Sequence, residues 1–177
     1  MARPPLVSSL VAGAVAGTAA TWLMDAVTTA VQKLQPPVDA EHERTAWPNG
    51  QPSVVNLVDL VADRLAVRLD ERTRPTAASV AHYALGAVPG AAYAVFRDRL
   101  PALGAGHGLL YGALLWAVND EYLNARLGLS APPAAYPLMT HVRGLIGHLA
   151  LGVGTDVGID ILRRLTSGGG RPTRHAP

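Results

Sequence analysis

The chain has 177 residues, a formal net charge of +2, 49% hydrophobic residues and only 16% charged ones. Ordinary soluble domains carry about 25% charged residues, and no Lys/Arg block here is interleaved with aromatics, so composition argues against a disordered chain and against a nucleic-acid binder. There is no Cys, which removes disulfides, thiolate metal sites and Cys nucleophiles.

In chain order, three long segments lack charged side chains: Pro5 to Met24, Ala77 to Phe96 and Pro101 to Asn119. Each is long enough, as a helix, to cross a hydrocarbon core of about 30 Å. A fourth apolar segment near 143–162 is interrupted by His148, Asp156 and Asp160. The expected elements are helices at about 5–31, 77–96, 101–120 and 141–164. Arg3 followed by Leu6 to Ala20 also has the outline of a signal peptide. Residues 36–52, rich in Pro and polar side chains, read as an irregular loop. Residues 53–72 read as an amphipathic helix, because Val54, Leu57, Val58, Val61, Leu65 and Leu69 recur at helical spacing, with Ser53 as a possible cap. Such a helix suits a membrane surface or the end of a bundle. Residues 167–177 read as a flexible basic tail. The fold expected is all-α: an integral-membrane four-helix bundle, one domain over residues 1–166.

The segments also suggest a duplication. His82-Tyr83-Ala84-Leu85-Gly86 matches His148-Leu149-Ala150-Leu151-Gly152 at an offset of 66 residues. Trp22 and Asp25 parallel Trp116, Asn119 and Asp120, and Gly13/Gly17 parallel Gly108/Gly112. Two helical hairpins repeated in the same orientation imply a pseudo-two-fold axis along the membrane normal. Arg97, Arg99, Arg163 and Arg164 then share one face with Arg3, Arg171 and Arg174. The positive-inside tendency puts that face, and both termini, in the cytoplasm. The glycines Gly13, Gly17, Gly86, Gly108, Gly112 and Gly152 are read as helix-packing positions, since small residues let backbones approach.

Ionisable residues inside apolar helices are costly, so they are the candidate site. Asp25 and His82 are expected to meet at similar depth near the outer end. The repeat offers a second pair, His148 with Asp120 or Glu121. Asp25, His82, Asp120, Glu121 and His148 then form a buried polar network, which ties helices together or handles protons. A rival reading makes His82 and His148 the two axial ligands of a b-type haem in an electron carrier. The stripe His141, His148, Thr155 and Asp156 offers too few convergent ligands for a metal. Asp160 is expected to pair with Arg163 or Arg164. No hydrolase, kinase or phosphate-loop signature is present, and no catalytic residue or resident cofactor is assigned.

The stretch Leu127-Gly128-Leu129-Ser130-Ala131-Pro132-Pro133, then Tyr136-Pro137, Gly147-His148-Leu149 and Ile159 to Arg164, resembles the C-terminal half of the YagU-like bacterial inner-membrane proteins. That resemblance implies a small, non-enzymatic polytopic protein of the plasma membrane with no assigned activity, one member being associated with acid tolerance. It marks His148 by position, with Pro132, Pro133, Arg163 and Arg164 as framework. The expected partners are the lipid bilayer and a second copy or a larger membrane complex, and no nucleic acid.

Overall fold

The structure is a computed structural model that describes residues 5–167. The expected tail beyond Ser167, with Arg171 and Arg174, and the N-terminal Arg3 lie outside the described residues. Every regular element described is helical.

Helix α1 runs Leu6–Gln32, in line with the charge-free segment that predicts it. The expected loop is instead largely helix α2, Pro37–Ala46. Its Pro-Pro start reads as a breaker, yet Pro37 sits at the first helical position, where no N–H is needed and the ring presets φ. Asp39 in the first turn and Arg44 in the last complement the helix dipole. A 3-10 turn at Pro48–Gly50 leads to α3, Ser53–Arg64. Ser53 is the first helical residue and makes no capping hydrogen bond; Pro52 occupies the cap. The amphipathic helix therefore stops short of 72. Ala66 adopts a positive φ of 53°, which breaks the helical path, and Leu65 and Leu69 lie outside it.

Helix α4, Thr73–Phe96, begins where the Asp70 carboxylate accepts the Thr73 amide at 2.7 Å. Its interior Pro89 has no N–H for the Leu85 carbonyl. The third expected helix starts later than 101. Pro101–Gly104 is a single 3-10 turn, and Gly106, His107 and Gly108 have φ of 65°, 54° and 90°. Three successive left-handed residues cannot belong to a right-handed helix. Helix α5, Leu109–Leu115, follows and passes into a π-helical segment, Trp116–Leu123, closed by α6, Asn124–Arg126. Helix α7 spans Leu138–Ser167.

Helix α1 packs along both α4 and α7, and α5 packs on α7. The close contacts are made by small residues. A methyl group on Gly17 would lie 2.3 Å from the Gly86 carbonyl, and one on Gly112 2.2 Å from the His148 carbonyl. Gly13 meets Gly90, and Gly108 meets Gly152. The α1–α7 seam sets Ala16 and Ala20 against Gly158 and Gly154. The core is correspondingly lean: Ala16, Ala20, Tyr93, Ala94, Tyr111, Leu151 and Ile159. Dispersion between closely approaching backbones replaces large interlocking side chains.

These contacts also fix the relation between the two helix pairs. Gly13, Gly17, Gly86, Gly90 and Ala94 meet in the same pattern as Gly108, Gly112, His148, Gly152 and Asp156. The second pair follows the first at 95 residues for α1 to α5 and at 62 for α4 to α7. The sequence match at 66 is thus one helical turn out of the packing register. In that register the counterpart of His148 is Gly86, and that of His82 is Gly144.

Two helices, Leu6–Gln32 and Leu138–Thr166, are long and apolar enough to cross a membrane. Helix α4 carries Thr73, Arg74 and Pro75 in its first turn. The segment after Gly108 is divided among three short elements with Asp120, Glu121 and Arg126 among them.

Candidate functional site

The α3 end of the bundle gathers most of the ionisable residues that lie inside helices. His82 on α4 donates from Nε2 to Asp25 Oδ1 on α1 at 2.7 Å. A carboxylate can only accept here, so Nε2 carries the hydrogen. The pair is half-buried, with side chains 33% and 40% exposed.

His148 is far more enclosed, its side chain 6% exposed. Its Nδ1 lies 3.0 Å from the Gly144 carbonyl and 3.5 Å from Asp120 Oδ2. A carbonyl only accepts, so Nδ1 is the donating nitrogen and Nε2 is left as the acceptor in the neutral ring. Asp120 also accepts from Asn119 Nδ2 at 2.8 Å. His82, His148 and Glu121 are titratable neighbours within electrostatic reach of its carboxylate.

Glu121 leaves this group. Its carboxylate bonds His141 Nδ1 at 2.7 Å, while His141 Nε2 faces the Pro133 carbonyl at 3.1 Å. Both ring nitrogens of His141 therefore face acceptors, an arrangement fully satisfied only when each carries a hydrogen. His141 and His148 are seven residues apart on one face of α7. The wide π-helical turn, a geometry frequent at functional sites, lets the consecutive Asp120 and Glu121 address both.

Two adjoining cavities expose these groups. One, about 230 Å³, is lined by His82, His148, Asp120 and Asn119 with Thr21, Leu85 and Pro89 among the walls. The other, about 350 Å³, is lined by Glu43, Glu121, His141 and Arg143. Ser53, Asn124 and Asp120 line both.

The second cavity contains a cluster that periodicity alone does not reveal. Glu43 on α2 is buried and accepts from Gln35 Nε2 and Thr140 Oγ1, each at 3.0 Å, and from Arg143. Arg143 also bonds Gln35. Burial alone raises the Glu43 carboxyl, but the Arg143 and Gln35 hydrogen bonds, the Arg143 charge and Thr140 hold it below its ordinary value. The nearby buried Asn56 binds the Leu129 carbonyl at 3.0 Å and so fastens α3 to the loop before α7. The signals were a Glu inside a Pro-rich segment and an Arg at the head of an apolar helix, but their partners lie about 100 residues apart.

The opposite end corrects a second expectation. Asp160 pairs with Arg97, not with its neighbours on α7. Arg97 also binds Asp156, which accepts from Tyr93 Oη at 2.6 Å. Arg163 forks onto Asp98 at 2.7 and 2.9 Å. The two helix pairs are thus tied to each other by charge where the C-terminal end of α4 meets α7.

His82 and His148 line one cavity but not at matching depth. In the packing register His148 stands one turn, about 5.4 Å, further along the helix than the counterpart of His82. Gly86 and Gly152 are filled by neighbouring helix backbone or by Thr21. Among the described residues no group of three or more His, Asp or Glu converges as a metal site. Compared with known proteins, the chain matches no family model, no curated protein and no solved structure.

Proposed function

We propose that this chain is a non-enzymatic integral-membrane protein of YagU-like type, in which proton uptake at the α3 end couples the two helix pairs. The membrane reading is supported by where the apolar residues of the long helices point. Only 33% and 39% of the apolar windows of α1 and α7 are buried inside the protein. Val7, Val11, Val15 and Trp22 on α1, Val80 and Val88 on α4, and Val157 and Ile161 on α7 are all exposed. A soluble core helix buries such residues, and an apolar rim of this extent suits lipid. In this reading α4 and the chain from Leu109 to Arg126 complete a bundle of two hairpins in a bacterial plasma membrane.

One observation carries the proton-linked reading: three His–carboxylate pairs, His82–Asp25, His148–Asp120 and His141–Glu121, converge on two cavities that meet at Asp120. Histidine changes charge in the range a cell meets under acid stress. Charging His141 favours its bridge between Glu121 and Pro133, and so tightens α7 on the π-helical segment. His148, by contrast, loses its acceptor Nε2 when charged and then draws on Asp120. The groups facing Asp120 from other elements are His148 on α7 and His82 on α4.

The test is tryptophan fluorescence of the protein in liposomes between pH 4 and pH 8, paired with a proton-flux assay. Trp116 stands against Gly144 beside Asp120. A transition that disappears in both Asp120→Asn and Glu121→Gln supports the reading. A wild-type signal that does not change with pH, or one untouched by both substitutions, rejects it. Orientation needs its own measurement. Arg126 and Arg143 join Lys33, Arg44, Arg64, Arg68, Arg72 and Arg74 at the α3 end, which weighs against the arginines of the other end. A C-terminal reporter fusion reads the side directly.

The haem reading is not favoured. His82 Nε2 is already bound to Asp25, and the cavity shared with His148 is about 230 Å³, smaller than the roughly 300–1,000 Å³ of ordinary small-molecule pockets.

A further inference from the structure

An apolar groove of about 570 Å³ runs between α3 and α4, walled by Leu57, Val61, Ala81, Leu85, Val88 and Pro89. It shares Leu57, Leu85 and Pro89 with the polar cavity that holds His148 and Asp120. A pocket with polar side chains and an apolar groove therefore meet along one wall. From Ala77 to Pro89 the α4 side of the groove is roughly 18 Å long at 1.5 Å per residue.

The polar end presents acceptors. His148 uses Nδ1 as a donor to Gly144, which leaves Nε2 as an acceptor on a side chain more than nine-tenths buried. The Asp120 carboxylate accepts as well. At the junction itself, the Leu85 carbonyl lacks its helical donor because Pro89 has no N–H. A ligand head that donates hydrogen bonds satisfies this set, and an anionic head meets a carboxylate at close range.

We propose that the cavity and groove together bind one single-chain amphiphile, its hydroxyl- or ammonium-bearing head in the cavity donating to His148 Nε2 and the Asp120 carboxylate, and its alkyl chain between α3 and α4. The proposal shares with the preceding section the reading that the chain lies in a membrane, from which such a molecule enters along α4. It does not need the proton-linked transition. A carboxylate amphiphile of equal chain length is the discriminating negative, because its tail fits the same groove.

The experiment is native mass spectrometry of the full chain released from diacyl-lipid nanodiscs after adding a monoacylglycerol, an alkyl primary amine or a fatty acid of matched length. The expected result is occupancy by the first two at least about tenfold above the fatty acid, a difference of about 1.4 kcal/mol. Asp120→Asn is expected to abolish the preference for the amine. Ala81→Trp fills the groove and is expected to lower all adducts, with Val80→Trp as a second groove variant should the first not fold. Val15→Trp, on the exposed face of α1, leaves binding unchanged. Equal occupancy by all three probes, or groove variants without effect, overturns the proposal and identifies nonselective lipid contact only. Measuring the pH dependence of the tryptophan fluorescence on the same samples separates the two readings. A retained transition with lost head selectivity rejects the amphiphile site alone.

Discussion

Gly17 and Gly86 bring α1 and α4 into backbone contact: a methyl group placed on Gly17 would sit 2.3 Å from the Gly86 carbonyl oxygen. The same relation recurs between Gly112 and the carbonyl of His148, at 2.2 Å. In both cases the obstacle is backbone, which cannot rotate away as a side chain does. Gly17→Ala and Gly112→Ala are therefore expected to destabilise the bundle by about 1–3 kcal/mol each, the usual cost of overpacking. Gly104→Ala serves as control, since its nearest neighbour is Tyr93 Oη at 3.7 Å, and is expected to stay within about 0.5 kcal/mol. Thermal unfolding in detergent reads all three.

Acid stability tests the Glu43 cluster. The folded Glu43 carboxyl lies below its ordinary value of 4.5. The unfolded chain binds the proton first as pH falls, so the contribution of Glu43 is full above the ordinary value and is lost as pH descends through the folded one. Glu43→Gln is expected to be less stable than the native chain at neutral pH and to show a flatter decline below pH 4.5. Parallel acid limbs for the two proteins would show that the cluster does not store this energy.

At the other end, Arg97 neutralises Asp156 and Asp160. Asp156 is only 6% exposed. Arg97→Ala leaves that carboxylate without its cation, and removal of one partner of a buried pair costs about 3–5 kcal/mol. Arg99→Ala removes an exposed arginine just past the end of α4 that donates to the Val95 carbonyl, and should change stability little. Equal Tm values for the two variants would place the Arg97 pair in solvent.

The His82–Asp25 pair makes a contrasting case. The side chains are 33% and 40% exposed, so a double-mutant cycle of His82→Ala and Asp25→Ala is expected to give a coupling of about 0.2–1 kcal/mol. A coupling of several kcal/mol would mean that the two groups are shielded from water in the membrane-embedded protein.

Much of this architecture can be read from the chain itself. Charge-free apolar segments determine most of α1 and α4, and an apolar segment interrupted by His148, Asp156 and Asp160 determines most of α7. Asp25 and His82 could be paired by counting residues from the helix ends, since two antiparallel helices bring equal depths together. Local backbone events were harder to read. Pro36-Pro37 reads as a breaker and begins a helix, while Gly106-His107-Gly108 lies within an apolar run and delays one. In both places the decision rests on a few φ angles that composition does not encode.

Length, apolar content and spacing act within one helix, so the all-α class, the lean glycine-rich seams and the identity of the costly polar residues were legible from the chain alone. Helix packing set the partners. Packing moved the correspondence of α4 and α7 by one turn, from 66 residues to 62, because backbone contact at Gly90 and Gly152 is stricter than a run of matching letters. It gave Glu121 to His141, Asp160 to Arg97, and Glu43 to Arg143 across about 100 residues. Each is a contact between separate elements, fixed by how the helices cross and by the need of every buried charge for a partner.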